Sequence, residues 1–451
     1  MNSSKPIILF FSRDYQSQFY PTLKSEVFDS IHVTLNKKEK KNVESKGGKV
    51  VACLEEEYEK LQEADISFPY LEYSIGSDRF LRAYTHQQRL SVLKKLVSFW
   101  GNIMDKYNPS YVMNEVVALE ISEVLLIEAK KRGIEYLATG AFAFDNSFFF
   151  HTTPYTSEVQ DQLNSVVPTE EHKLIARNYI NKIRSGAVEN PHIKVLRKSK
   201  DISNLLNKIK SLTIQVLRTL YVKNKTIRQI CYYESFSYFF DEINYYINYI
   251  LRSNAYDKLE DINKDTEVVF YPLHFEPEAT LFYLSPFCDN QFALIENVLK
   301  CMKEDQVLVI KEHPAQAGFL MQKQFRKLKT RFPNVKYLKA DISSSIVIIR
   351  ANYIFTLVST AGFEAMCIDK PVIVFGKVYY NAYSGVNYCT TFEEVYNLLR
   401  GLTTFNKSDG LEDFLSRMIA ILNVGYPWPY PILYTKENID NVRMGIEKRI
   451  V

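Results

Sequence analysis

Short, solidly apolar runs alternate with longer stretches whose apolar residues recur every three or four positions, and this alternation occupies two separate regions of the chain. In the first, residues 7–11, 31–35, 49–53, 111–114 and 134–138 read as strands, and 20–30, 79–107 and 119–132 as helices. In the second, strands are expected at 267–271, 306–311, 335–338, 353–358 and 371–375, with helices over 289–302, 320–331, 343–350 and 362–368 between them. Apolar runs without a polar phase suit strands buried on both faces, and strand–helix alternation builds parallel sheets covered by helices. The expected class is α/β with two doubly wound units. The expected domains are 1–150, a helical segment 151–262, a second α/β domain 263–425, and 426–451, where a last helix from 436 follows a Y-P-W-P-Y-P break.

The middle of the chain loses the strand pattern. Between 194 and 228 there are ten Lys or Arg and one acid, Asp201, while Ile202, Leu205, Leu206, Ile209, Leu212, Val216 and Leu220 recur at helical spacing. Such a basic amphipathic helix either solvates its charges on a packed domain or is drawn to an anionic membrane surface or acidic polymer.

Composition changes this picture little. The chain has 451 residues, 46% hydrophobic and 24% charged, which calls for packed cores and not disorder. A net charge of +4 gives no strong pull on a polyanion, and no nucleic-acid partner is expected. Six cysteines lie scattered with no C-x-x-C, so neither a zinc site nor a disulfide framework is expected, and a reducing cytoplasm fits. The opening M-N-S-S-K-P-I-I-L-F-F-S lacks a small-residue cleavage site and reads as a first strand, not a signal peptide. No uncharged apolar stretch reaches the roughly 18 residues of a membrane span. The expected location is the cytoplasm, with peripheral contact at the inner membrane face through 194–228.

In open α/β sheets, ligands bind outside the carboxyl ends of the strands. Four segments of the second region place polar chemistry there. Tyr271-Pro272-Leu273-His274-Phe275-Glu276-Pro277-Glu278 offers a histidine and two carboxylates on a proline-stiffened loop. Val307-Leu308-Val309-Ile310-Lys311-Glu312-His313-Pro314 ends a buried strand in a titratable cluster, where a histidine can assist a departing phosphate. Ser359-Thr360-Ala361-Gly362-Phe363-Glu364 turns a strand into a helix, whose N-terminus favours an anion. Phe375-Gly376-Lys377 leaves the next strand.

In this order the segments resemble the capsular polysaccharide biosynthesis family, which includes bacterial 3-deoxy-manno-octulosonic acid (Kdo) transferases. The resemblance covers about residues 265–380 and is faint over the first 150. It implies a GT-B glycosyltransferase, with two Rossmann-like domains facing a cleft, that uses a CMP-linked acidic sugar, Kdo or sialic-acid-like. On this reading His313 lies near the CMP phosphate, with Lys311, Glu312 and Pro314 beside it. Ser359, Thr360 and Gly362 form the phosphate turn, Glu364 approaches the ribose, and His274, Glu276, Glu278 and Gln291 line the donor side. The acceptor would be a glycan or lipid-linked glycan. No cofactor is implied beyond the CMP-sugar substrate, and no metal, since there is no D-x-D after an apolar strand.

The chain departs from its relatives in the first domain. They tend to carry an acidic pair before a glycine after a late strand, where this sequence reads Tyr136-Leu137-Ala138-Thr139-Gly140. Glu115 and Asp145 are the nearest substitutes for the catalytic carboxylate. It would act as a base in an inverting reaction or a nucleophile in a retaining one. The alternatives are a GT-B polyol-phosphate transferase using a CDP-linked donor, a nucleotide-sugar epimerase, or a non-catalytic assembly protein.

Overall fold

Each expected strand is found, within a residue or two, in the computed structural model. The structure describes residues 5–66, 80–81, 83–115, 117, 120–151, 156–186, 202–276, 279–285, 287–427 and 434–451. The strands are β1 (Ile7–Phe11), β2 (Asp29–Thr34), β3 (Val50–Cys53), β4 (Tyr111–Glu115), β5 (Glu135–Gly140) and β6 (Ser147–His151). They continue with β7 (Glu267–Pro272), β8 (Gln306–Lys311), β9 (Val335–Leu338), β10 (Tyr353–Thr356), β11 (Val372–Val374), β12 (Asn387–Tyr388) and β13 (Asn423–Val424).

They form two sheets, ordered β13-β6-β5-β4-β1-β2-β3 and β12-β11-β10-β7-β8-β9. The second sheet is parallel throughout. The first is parallel from β3 to β5, and β6 and β13 add antiparallel pairs at one edge. In both sheets the order reverses between two central neighbours, β1 and β4 in one and β7 and β10 in the other. These are the switch points at which doubly wound sheets open a crevice. The α/β class with two doubly wound sheets is as the sequence reading has it.

The chain divides into two units: residues 1–154, 212–235 and 422–451 in the first, 155–211 and 236–421 in the second. The segment expected as a separate helical connector, 151–262, is thus shared out between both. In unit 1, helices α1 (Lys37–Ser45), α2 (His86–Tyr107) and α3 (Glu120–Lys131) connect the strands. α1 starts in a capping box, with Asn36 and Glu39 bonding each other's backbone N–H. Val442 and Ile446 of the helix Lys436–Ile450 join Ile8, Phe10, Phe148 and Phe150 in the unit 1 core.

One local expectation fails in unit 1, and one strand there was not expected. Residues 20–30 are not a helix: the helical turn Gln16–Phe19 passes into a 3₁₀ turn, Tyr20–Thr22, and the chain then runs extended into β2. Pro21 has no N–H to give to a carbonyl four residues back, so helical bonding begun at Gln16 cannot run through it. The edge strand β6, all five residues buried, was not foreseen. Its outer edge is paired by β13, some 270 residues away in sequence, which no local pattern announces.

In unit 2 the chain enters through helices Thr156–Ser165 and Glu170–Arg184, followed by α4 (Ile202–Tyr221), whose first half belongs here, and α5 (Phe236–Leu251). The later helices α6 (Gln291–Cys301), α7 (Ser344–Arg350) and α8 (Thr360–Cys367) follow β7, β9 and β10. Val269, Tyr271, Leu308, Ile310, Phe355 and Ile373 from the strands pack with Leu294, Val298, Phe325 and Leu328 from the helices as one core. All six cysteines are buried and free.

Candidate functional site

The unit 2 switch point brings the ends of β7 and β10 together, and one hydrogen bond spans them. The backbone N–H of Val358 donates to Nε2 of His274 at 3.4 Å. His274 is buried, and burial, with the neighbouring His313 charge second, pushes its pKa down to about 3. A ring that accepts through Nε2 and stays neutral carries its proton on Nδ1. His274 therefore organises the crevice and does not serve as an acid at neutral pH.

The loop that holds His274 is clamped by two buried glutamines. Gln291, at the start of α6, accepts through Oε1 from the His274 N–H at 2.8 Å and from the Tyr271 hydroxyl at 2.8 Å. Its Nε2 donates to the His274 carbonyl at 3.0 Å and to Oε2 of Glu276 at 3.2 Å. Gln316 repeats the arrangement one step on. Its Oε1 accepts from the Glu276 N–H at 2.9 Å, and its Nε2 donates to the Glu276 carbonyl. Gln291, expected to line the donor side, thus uses its amide to fix the loop. Gln316 was missed altogether, since one glutamine in a loop carries no local signal. Glu278, the loop's second carboxylate, lies outside the described residues.

Lys311, Glu312 and His313 divide their work. Glu312 is fully buried and accepts from the Tyr256 hydroxyl at 2.8 Å and from the N–H groups of Gly318 at 3.0 Å and Leu320 at 2.9 Å. Its carboxylate anchors the turn beyond β8, so it is a support where a donor contact was expected. Gly318 is required there: its φ is +93°, and a Cβ would fall 1.8 Å from the Tyr245 carbonyl of α5. Lys311 is buried at the end of β8, its Nζ 3.2 Å from the Glu312 carbonyl. His313 caps the 3₁₀ turn Pro314–Gln316 by accepting the Ala315 N–H on Nδ1 at 3.2 Å, and its ring meets Phe275 edge-on at 6.1 Å. That leaves Nε2 as the ring atom turned to other partners.

Ser359 and Thr360 sit half-buried where β10 turns into α8. Ser359 is the cap residue, its Oγ accepting from the Ala361 N–H at 3.2 Å. Its carbonyl accepts from the Tyr380 hydroxyl at 2.6 Å. Gly362 provides the room for that contact, because a Cβ on it would lie 2.5 Å from the Tyr380 oxygen. The glycine thus seats Tyr380 under the turn. Glu364, one turn further, is half-buried; burial lifts its pKa to about 7, against the pull of the Lys311 charge. With Arg184, Ser345, Ile348 and Asp369 it lines a pocket of about 500 Å³. That pocket runs along α8 away from Ser359.

At the unit 1 switch point, Glu115 ends β4 beside Arg13 and Tyr15, which follow β1. Its Oε1 accepts from Nη2 of the buried Arg13 at 2.5 Å and its Oε2 from the Tyr15 hydroxyl at 2.8 Å. In the sheet, Glu115 pairs directly with Thr139, inside the segment where the resemblance implies an acidic pair. Asp145 lies on the exposed turn between β5 and β6 and accepts from the Tyr426 hydroxyl. Among the described residues no group of three or more His, Cys, Asp or Glu side chains is placed to hold a metal ion.

No curated protein matches the chain. Among solved structures it is similar to the beta Kdo 2,7 transferase of Thermosulfurimonas dismutans KpsC, at 12% identity over 85% of this chain and 97% of that one, with a TM-score of 0.37. The beta Kdo 2,4 transferase of the same KpsC gives 13% identity over 76% and 88%, TM-score 0.40. UDP-GlcNAc 2-epimerase from Neisseria meningitidis gives 13% over 93% and 99%, TM-score 0.28. The model of the capsule polysaccharide biosynthesis protein family matches residues 177–400, the stretch that contains β7 to β12 and the whole of the unit 2 site. Over that stretch, carrying His274, Lys311, His313, Ser359 and Glu364, the chain belongs to the capsule polysaccharide biosynthesis proteins.

Proposed function

We propose that this protein is a GT-B glycosyltransferase of capsule or surface polysaccharide synthesis. It moves an acidic sugar, Kdo or a sialic-acid-like one, from a CMP-linked donor to a glycan or glycolipid acceptor. The observation that carries the reading is the crevice at the unit 2 switch point, where the clamped His274 loop is bonded to the turn that starts α8, with Lys311 at the end of β8 and His313 just beyond it. The helix N-terminus, the Ser359 and Thr360 hydroxyls and the Lys311 ammonium suit a phosphate, and the family membership supports a polysaccharide role.

In the reaction, the bond between the anomeric carbon and the phosphate oxygen of the donor breaks, and CMP leaves. His313 and Lys311 meet the charge that builds on that oxygen. The acceptor hydroxyl oxygen forms the new bond and gives up its proton. Glu115 is our choice for the carboxylate the reaction needs. It is held by two donors at a switch point, next in the sheet to the segment where the resemblance implies an acidic pair, whereas Asp145 is on an exposed turn.

The test is turnover with CMP-Kdo and CMP-sialic acid against CDP- and UDP-linked donors. His313→Ala should lower kcat by about 10²–10⁴-fold in a protein that still melts cooperatively. Turnover of a CDP- or UDP-linked donor with CMP donors inert, or full activity in His313→Ala, would overturn the assignment.

A further inference from the structure

Helix α4 is turned the wrong way for a helix of a globular domain. Ile209, Val216 and Leu220 recur at positions i, i+7 and i+11, so they form one stripe, and Leu217 and Tyr221 widen it. This stripe faces solvent: Leu220 is 70% exposed and Tyr221 83%. The other side holds Gln215, Arg218 and Thr219, all half-buried, with the Arg218 guanidinium stacked over the Tyr232 ring at 4.8 Å. Packing ordinarily buries the apolar stripe and solvates the polar side. Here Gln215, Arg218 and Thr219 pack together with Leu212, and the stripe from Ile209 to Tyr221 is left to water. Helix α5 also exposes apolar residues, Phe240, Ile247 and Leu251, the last 77% exposed, while Phe239, Tyr245 and Tyr249 pack inward.

A contiguous exposed apolar face of this kind marks an interaction surface. Its surroundings specify the partner. From Ile202 to Arg228 there are six Lys or Arg and no acid. Lys210, Lys223 and Lys225 are exposed, while Arg228 is neutralised by Glu234 at 3.0 Å. A 20-residue helix about 30 Å long, apolar along one stripe, with the exposed Lys210 on it, Lys223 and Lys225 just past its end and an exposed tyrosine at its last position, has the makeup of a helix that lies in a lipid headgroup layer. It lies on the layer and does not cross it: no helix among the described residues is long and apolar enough to span a membrane.

We propose that the α4 stripe is the docking surface of this protein for an anionic lipid bilayer. The apolar side chains enter the acyl boundary, and Lys210, Lys223 and Lys225 meet anionic headgroups. This rests on the helix alone and not on the donor assignment above.

The experiment is flotation of the purified full chain with phosphatidylcholine vesicles containing phosphatidylglycerol, and with pure phosphatidylcholine vesicles. The protein should float with the anionic vesicles and be released by salt. Val216→Asp with Leu220→Asp should abolish flotation, and Lys210→Glu with Lys223→Glu should weaken it by on the order of tenfold or more. Circular dichroism reports whether the variants fold, and the charge-reversal pair, at exposed positions, decides the matter if the apolar pair does not. The proposal is overturned if the wild type stays behind with anionic vesicles, or if folded variants float as it does. It is also overturned if lipid-free light scattering shows a dimer that Val216→Asp with Leu220→Asp separates, which would assign the face to a second copy of the chain.

Discussion

Gln291 uses all four hydrogen-bonding positions of its amide, two lone pairs and two N–H groups, inside a fully buried setting. Gln291→Ala would leave a buried hydroxyl, a backbone N–H and a carbonyl without their partner. Each stranded group costs about 1–3 kcal/mol, so a loss of roughly 3 kcal/mol or more in chemical denaturation is expected, along with a weaker hold on nucleotide. Glu364 makes a pH-dependent prediction. Its pKa rises from 4.5 to about 7 on folding, so the unfolded chain releases this proton first as pH increases. Its burial is therefore harmless below about pH 4.5 and increasingly unfavourable through pH 7. Glu364→Gln should melt above the wild type near pH 8 and alongside it near pH 4.5. His274 has the opposite trend: with its pKa lowered to about 3 from 6.5, the stability it contributes is whole above about pH 6.5 and lost as pH falls toward 3. His274→Gln should flatten the acid limb of a melting-temperature profile.

Helix α8 shows how a single glycine can look functional and be structural. In Ser359-Thr360-Ala361-Gly362 the glycine suggests close approach of a phosphate, yet its missing side chain makes room for the Tyr380 hydroxyl. Gly362→Ala should destabilise the unit by about 1–3 kcal/mol, as overpacking does. Tyr380→Phe removes the clashing oxygen, so the double variant should be more stable than the sum of the single effects, a coupling that a thermodynamic cycle measures. The elements themselves were readable where β-branched runs made buried strands, as in β7, β8 and β11, because burial on both faces leaves no other choice of residue. The strand ends were readable too, since His274, Lys311, His313 and Ser359 all follow such runs. What escaped were facts that depend on distant partners. Glu312 looks like its neighbours in sequence, but its place beside Tyr256, Gly318 and Leu320 decides its role. The solvent-facing turn of α4 was equally hidden, because periodicity reveals a stripe and not what it faces.

At the scale of the whole molecule, the chain enters unit 1 three times, over 1–154, 212–235 and 422–451. The last visit supplies β13 to the sheet edge and places Val442 and Ile446, both fully buried, in the core. Burying each such side chain contributes about 1.5–3 kcal/mol, a large part of the total stability of a domain. A fragment of residues 1–154 should therefore show neither cooperative melting nor dispersed amide resonances, although it contains six of the seven strands of its sheet. A fragment that runs unbroken from 155 to 421 keeps all of the second sheet and the helices that pack on it and should melt cooperatively.

This interleaving reverses the usual order of events on the ribosome, where domains tend to fold as they emerge, the first before the next. Here the first six strands leave the tunnel and wait for an edge partner that begins at Asn423. At about 5–20 residues per second, the 422–451 segment follows Pro154 by on the order of 10–60 s. For that interval the nascent protein carries an open β6 edge and an uncovered patch around Phe148 and Phe150, while the strands of the second sheet are still being made. Holding factors that shield apolar strands should bind ribosome-stalled chains ending near residue 400 and release those that extend past 451.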